Sequence, residues 1–381
     1  MTQPVHQPSS TAQAQPQDGR SPAPTRRLES APACAEAVLT APRWFRIIGS
    51  LSLAALLLGL ASLQFGVQPI RLGQIMRTLA RTLGGANDAE TVGTAGIILI
   101  QIRLPRVLLG FLVGCCLASV GAALQALLRN HLADPYVLGV SSGAAFGVTL
   151  AVLFGIGTSV LAPAALPACG FAGGLLALLV VYRIAASYQR LPIHSLLLAG
   201  VILNAVFSAL IMFITSIMEP NRSFGMMTWL MGTLTAPDYP TLSLLALYLL
   251  VGLLVLFKQA RVLNILALGE GTARSLGVDT DRAKRFIFIL SALVTGAVVS
   301  VSGMIGFIGM VIPHAVRLLV GTDHRLLLPA SALVGGMFLM VADTLARTLL
   351  SPAEMPVGII TALTGGPFFV YLLLWRKDRL A

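Results

Sequence analysis

The residue types that most often carry chemistry are present in this sequence, but they do not stand at catalytic spacings. There is no GxxxxGK[ST] loop for ATP phosphates, no HExxH zinc pair and no GxSxG nucleophile turn. The four cysteines lack metal-ligand spacing, and the acids near apolar runs are few, with Asp343 close to the end of one run and Glu354 in the turn after it. We therefore expect no catalytic residue, no metal site, no cofactor and no proton relay, and we expect that the chain is not an enzyme.

One long polar stretch, Val262 to Arg285, interrupts the apolar part of the chain. Its charges must lie in water between the apolar runs at 241–257 and 286–301. Gly277 can end a first helix and Asp279 can begin a second. The residues at helical spacing in the first part are Leu263, Leu266, Ala267, Ala273 and Leu276. The pattern predicts a helix, a tight turn and a second helix, which could transmit force from a cytoplasmic partner or could only connect two spans.

Composition decides the class of protein. The chain is 56% hydrophobic and only 11% charged, and several apolar runs are long enough to cross a bilayer. A polytopic helical membrane protein is therefore predicted, and a soluble core is excluded. The net charge of +11 would suggest nucleic acid in a soluble protein. Here most basic residues flank apolar runs, where they face membrane lipid and set topology, so no nucleic-acid partner is expected.

The chain divides into two parts by composition. Residues 1–42 are rich in Pro, Gln, Ser and Ala and predict a disordered cytoplasmic tail, followed by a membrane domain over 43–381. Ten spans are predicted, near 44–65, 107–128, 136–155, 164–186, 195–217, 241–257, 286–301, 304–320, 328–346 and 357–375, with a broken helix possible at 296–309. Lys and Arg concentrate before the first span and in alternate loops, which places both termini in the cytoplasm.

Two exterior segments and one glycine pattern also stand out. Residues 70–83 predict an amphipathic helix on the outer surface, and residues 221–235 are apolar but too short to span. Gly114 and Gly121 are seven residues apart, as are Gly296 and Gly303 in a run of opposite direction. This spacing suits either an inverted repeat or close packing of helices through small residues.

Several long motifs together carry a family resemblance. They are IRLPRVLLGFLVGCCLASVGAALQALLRNHLADPYVLGVSSGAAFG (102–147), LLLAG (196–200), NILALGEGTARSLGV (264–278), GMIGFIGMVIPHAVR (303–317), TDHRLLLP (322–329), ADTLAR (342–347) and MPVGIITALTGGP (355–367). In this order they resemble the iron-siderophore and vitamin B12 permeases of bacterial ABC importers, the FecCD family. The resemblance covers roughly residues 44–377 and leaves the N-terminal tail outside.

The resemblance implies an all-α permease with the type II ABC importer fold, about ten helices and an inverted repeat. It further implies a dimer with a second copy or a paralogue, two ATPase subunits below, and a periplasmic or lipid-anchored solute-binding protein above. The coupling element of the family corresponds to the helices within 262–285. The residues that match its pattern are Leu268, Gly269, Glu270, Ala273, Leu276 and Gly277, and Glu270 is the one expected to touch the ATPase.

The resemblance also implies a docking rim for the binding protein. Arg103, Arg106 and Arg347 match the family's exterior arginines, and we expect them to form a basic patch that meets acidic residues of the binding protein. A planar guanidinium suits this role because it offers two parallel donors to a carboxylate. The alternative is that all three anchor the chain in lipid headgroups.

A cytoplasmic gate is the last site that the resemblance implies. Its residues here are Asn130, Leu132, Ile193 and His194. His131 stands where the family usually has proline, and Ile193 and His194 replace small hydroxyl residues. The closing contacts of the gate therefore cannot be copied from the family.

The predicted function is import of a metal chelate across the inner membrane, with a ferric siderophore as the first candidate and cobalamin or haem as alternatives. A stand-alone channel or secondary transporter is the rival class, but it would need intramembrane ionisable residues that this chain mostly lacks. An exporter permease is a second rival, and it would not need the exterior arginines.

Overall fold

The computed structural model describes residues 39–66, 69–83, 89–156, 162–185 and 193–377. They belong to the unit Leu39–Ala381, and residues 1–38 of the predicted tail lie outside the described part. Within the described residues every regular element is helical. The helices are α1 (Ala41–Gln64), α2 (Leu72–Leu83), α3 (Ala89–Ile97), α4 (Leu104–Leu128), α5 (Val140–Leu153), α6 (Ala162–Ala185), α7 (Ile193–Ile217), α8 (Pro220–Leu230), α9 (Tyr239–Lys258), α10 (Ala260–Ala267), α11 (Glu270–Ser275), α12 (Thr280–Ser302), α13 (Ile308–Val320), α14 (His324–Thr348) and α15 (Val357–Lys377).

The helices confirm an all-α membrane fold with several spans. Seven helical segments among the described residues are long and apolar enough to cross a membrane, and α5, α13 and Val357–Tyr371 are shorter apolar helices. Each of these segments overlaps one of the ten predicted spans. The second segment begins at Gly93 rather than near residue 107, because a π-helical turn, Ile98–Arg103, joins α3 to α4. The predicted break in 296–309 is real, since α12 ends at Ser302 and α13 begins at Ile308.

Helix α4 lies at the centre of the packed helices, and α14 is its main neighbour. A Cβ on Gly114 would stand 2.2 Å from the carbonyl oxygen of Gly335 in α14, and a Cβ on Gly121 would stand 1.9 Å from that of Gly309 in α13. Small residues therefore let three backbones approach closely. The structure therefore shows close packing of helices at Gly114 and Gly121.

A methyl group at Gly121 should destabilise the fold. Gly121→Ala places its Cβ against backbone atoms of Gly309, which no rotamer change can relieve, so we expect a loss of about 1–3 kcal/mol or more. Gly49→Ala is the matched control because a Cβ there meets nothing within 4 Å. Thermal unfolding of both purified variants in detergent measures the difference. Equal unfolding temperatures would contradict the close approach of α4 and α13.

The two segments that were predicted to lie outside contain helices, Leu72–Leu83 and Pro220–Leu230, and parts of both segments lie against the protein. In α2 the side chain of Ile75 is fully buried and packs in a small cluster with Leu63 and Leu99. The apolar side of this amphipathic helix is thus covered by protein at this point. After α8 the chain turns at Gly232, which has φ 81°, and the Thr233 N–H donates to the Ser302 carbonyl at 2.9 Å. This segment therefore folds back onto the end of α12.

Candidate functional site

The predicted site residues fall into two groups at opposite ends of α4. Arg103 and Arg106 lie at the beginning of α4, beside the end of α14. Arg129 follows the end of α4 and lies beside α11. Helix α4 has 25 residues, which corresponds to about 37 Å at 1.5 Å per residue. The two groups therefore stand on opposite sides of the packed helices, as sites for one partner on each side of a membrane would require.

The predicted turn and second helix at 262–285 are present, but the predicted first helix is divided in two, because Gly269 adopts a non-helical conformation. Helices α10 and α11 are separated by Gly269, and Gly277 ends α11 in a left-handed conformation with φ 82°. The Asp279 carboxylate caps α12 by accepting the Arg282 N–H at 3.1 Å. Leu263, Leu266 and Ala273 are buried in the core, so this segment is packed onto the helices rather than loosely attached.

Glu270 connects three parts of the structure. Its carboxylate forms an ion pair with Lys284 of α12 and lies 3.8 Å from the Arg129 guanidinium at the end of α4. The hydrogen bond from Lys284 is the main cause that lowers the pKa of Glu270 below its ordinary value. Glu270 is thus an ionised side chain that fastens α11 to α12 and to the end of α4, instead of pointing only toward a partner.

The surface that a partner could contact is apolar. Leu268 is 66% exposed and Leu276 is 59% exposed, on either side of the short helix α11. Gly277 is also exposed, whereas Ala273 is fully buried and can contribute only packing. We call Leu268, Glu270 and Leu276 the coupling surface. Exposed leucines beside ionised groups at the polar end of a bundle are typical of a protein contact.

A polar cluster that the sequence did not indicate joins α10 to α14. The Asn264 amide donates to the Asp323 carboxylate at 2.8 Å and accepts the His324 N–H at 2.8 Å. Partial burial tends to raise the pKa of Asp323, but hydrogen bonds from Arg325 and Asn264 outweigh it and lower the pKa to about 2. Asp323 is therefore ionised and caps α14. Polar contacts therefore attach α11 to α12 and to the end of α4, through Glu270, and α10 to α14, through Asn264.

The loop after α4 contains two of the four predicted gate residues. The Asn130 side chain accepts the Leu132 N–H at 2.9 Å, and Leu132 is 46% exposed. The His131 ring contacts the His314 ring of α13 edge to face, with centroids 5.9 Å apart. Ile193 and His194 begin α7, but their side chains lie outside the described part of the chain. The grouping of the four residues as a gate stays a prediction.

The three arginines that were predicted to receive the binding protein lie together at the other end of α4. The Asp343 carboxylate accepts a hydrogen bond from Arg106 Nε at 2.9 Å on one oxygen, and its other oxygen forms an ion pair with Arg347 Nε at 3.0 Å. Arg106 also reaches Glu354 with Nη1 at 2.8 Å. The Arg103 guanidinium donates to the Leu63 carbonyl at 2.8 Å. The three guanidiniums and two carboxylates leave one net positive charge.

The structure differs here from the expected exposed basic patch. Arg103 and Arg347 are only 4% and 5% exposed, and the side chain of Arg106 is 11% exposed. Buried guanidiniums require partners inside the chain, which are Asp343 for Arg106 and Arg347 and the Leu63 carbonyl for Arg103. The sequence did not indicate this role of Asp343, because Arg106 and Asp343 are 237 residues apart in the chain. The spacing of Asp343 and Arg347, four residues apart in one helix, was the available signal.

Comparisons with known proteins identify the family of this chain. The sequence profile of the FecCD transport family matches residues 54–375. The cobalamin import system permease of Halobacterium salinarum is 47% identical over 75% of this chain and 76% of its own length. The hemin transport system permease of Yersinia pestis is 40% identical over 87% of this chain and 96% of its own.

A solved structure has the same fold. It is described as a metal-chelate type ABC transporter in an inward-facing conformation, and it matches with a TM-score of 0.73 and 31% identity. The match covers 87% of this chain and 99% of that chain. FecCD proteins are the transmembrane components of importers and are not themselves enzymes. The match over residues 54–375 and the relatives' identity show that this chain belongs to the FecCD transport family.

Proposed function

We propose that this chain is the permease subunit of an ATP-binding-cassette importer that carries a metal chelate across the inner membrane. The single observation that carries the proposal is the coupling surface, which exposes two leucines and is attached by Glu270 to both α12 and the end of α4. A push on this surface would reach the central helices directly. The FecCD match and the names of the relatives, which are permeases of cobalamin and hemin import systems, support this function.

The proposed assembly has two copies of the permease, or one copy and a paralogue, with two ATPase subunits at the coupling surfaces. Asn130, Leu132, Ile193 and His194 are proposed to form the cytoplasmic gate. The Trp44 indole donates to the Arg325 carbonyl at 3.1 Å, so the start of α1 lies at the same end as the coupling helices. This contact supports a cytoplasmic N-terminus, and ten spans would return the C-terminus to the same side.

At the opposite end, Arg103, Arg106 and Arg347 are proposed to receive the solute-binding protein. Of the three, Arg106 bonds the half-exposed Glu354, so it is the one best placed to exchange an internal partner for an external one. Arg103 and Arg347 would act mainly by keeping this end of α4 and α14 positively charged and correctly packed.

The cargo class is proposed as a metal chelate, with ferric siderophore, cobalamin and haem as the three candidates. An iron-uptake system permease of Bacillus subtilis is 34% identical over 74% of this chain, below the 47% and 40% of the cobalamin and hemin permeases. The names of the relatives therefore support cobalamin and haem as the cargo as strongly as a ferric siderophore. Binding of each chelate to the purified solute-binding protein would distinguish them.

Docking of the ATPase should depend on the two exposed leucines. Leu268→Asp combined with Leu276→Asp puts two charges into an apolar contact, and we expect the ATPase no longer to co-purify with the permease in detergent. Arg282→Ala is the control, because Arg282 is 83% exposed on the first turn of α12, outside the coupling surface. Unchanged co-purification and uptake in the double variant would contradict the proposed contact.

A further inference from the structure

The surface at the docking end displays an acid rather than a base. Glu354 is 51% exposed, whereas the side chains of Arg106, Arg347 and Asp343 are 11%, 6% and 2% exposed. A protein that approaches this end of α4 therefore meets the Glu354 carboxylate before it meets any of the three guanidiniums. An acidic partner would be repelled by this carboxylate at short range.

The position of Glu354 is built into the fold. The next residue, Met355, donates its N–H to the Ala346 carbonyl of α14 at 3.1 Å, and its side chain packs against the core. This bond attaches the segment 349–356 to the helix that carries Asp343 and Arg347. The Glu354 carboxylate is thereby held 2.8 Å from Arg106 Nη1.

The two acids bound to Arg106 are not equivalent. Asp343 is shared with Arg347 and buried, so its removal would leave two guanidiniums without their acceptor. Among the described residues Glu354 bonds Arg106 alone, and it is open to water. Because Glu354 is half-exposed and Arg106 keeps its bond to Asp343, opening of this pair leaves no buried charge without a partner and costs little.

We propose that Glu354 is an internal competitor for docking: it occupies Arg106 in the free permease, and a carboxylate of the solute-binding protein must displace it. This inference rests on the proposed docking role of Arg106. The displaced Glu354 turns outward into water, and the external carboxylate takes its place on Nη1. Glu354 thereby sets how tightly an acidic partner binds and limits binding by weaker ones.

Removal of the competing charge should strengthen docking. Glu354→Gln keeps the size of the side chain, and we expect cargo-free solute-binding protein to bind about two- to five-fold tighter, mainly through faster association, with a steeper dependence on salt. Binding is measured by surface plasmon resonance on the full-length permease in nanodiscs at several salt concentrations.

Glu219→Gln is the matched control for the change in net charge. Glu219 is also an exposed acid, at 57%, and its 3.4 Å ion pair is with Arg222 of α8 rather than with Arg106. We expect binding by this variant to match the wild type. If Glu219→Gln strengthens docking as much as Glu354→Gln does, the effect is one of general charge and the competition is refuted.

A second pair of variants separates this inference from the function on which it rests. Arg106→Lys keeps the positive charge but loses the planar guanidinium with its parallel donors. In this background, Glu354→Gln should strengthen docking less than it does in the wild type. If Arg106→Lys and Arg106→Ala both dock normally, the docking role of Arg106 is wrong. If both dock weakly while Glu354→Gln matches or weakens the wild type, the docking role stands and the competitor role is wrong.

Discussion

Replacement of Asp343 by alanine should destabilise the folded permease by about 3–5 kcal/mol. Its carboxylate accepts a hydrogen bond from Arg106 at 2.9 Å and forms an ion pair with Arg347 at 3.0 Å, and both guanidiniums are largely buried. The variant would leave two cations close together without their shared acceptor. The yield of folded protein and its thermal unfolding in detergent measure the loss.

Glu354→Ala is the control for this prediction. It removes the second acid of the same cluster, but Glu354 is half-exposed and bonds only Arg106, so the expected loss is about 0–1 kcal/mol. Similar unfolding temperatures for the two variants would contradict the view that Asp343 holds this end of the fold together.

The burial of this cluster changes which substitutions test docking. Charge reversal at Arg103 or Arg347 would place a carboxylate inside the protein, and for Arg347 it would stand next to Asp343. Such variants would report on folding before they report on partner binding. Glu354 is the position at which docking can be tested with the least effect on the fold, because it is half-exposed and lies outside the buried pair of Arg106 and Asp343.

Glu270→Lys should uncouple ATP hydrolysis from transport. The new cation would face Lys284 and Arg129, so the contacts that fasten α11 to α12 and to the end of α4 would become repulsive. Coupling free energies between sites are typically 1–3 kcal/mol, and we therefore expect uptake to fall about 5- to 150-fold. Uptake and ATPase activity are measured together in proteoliposomes.

Glu270→Gln is the matched variant, because it keeps an oxygen acceptor for Lys284 and adds no positive charge. It should retain more uptake than Glu270→Lys at similar permease levels in the membrane. Normal uptake by Glu270→Lys would show that the contacts of this carboxylate do not transmit force.

Local sequence signals predicted the elements of this structure well. Apolar runs located the spans, and Gly277 followed by Asp279 correctly indicated the end of α11 and the start of α12. These features depend on residues close together in the chain, so spacing and side-chain type are enough to find them.

Contacts between residues that are far apart in the chain could not be predicted from the sequence. Arg106 and Glu354 are 248 residues apart, and Asn264 and Asp323 are 59 apart, so no local pattern joins them. The exposure of the arginines was misjudged for the same reason. Glu270 was singled out from the family pattern, but its partner Lys284 became evident only from the way α11 packs on α12.

If this chain is a permease driven by a separate ATPase, its uptake of cargo into proteoliposomes must require that ATPase. The wild-type chain would be reconstituted with its ATPase inside and its solute-binding protein outside, and supplied in turn with a ferric siderophore, cobalamin and haemin. We predict that one of these chelates accumulates only when ATP, the ATPase and the binding protein are all present. Accumulation at an undiminished rate by the chain alone, driven by an ion gradient or by diffusion, would contradict the account and identify a secondary transporter or a channel.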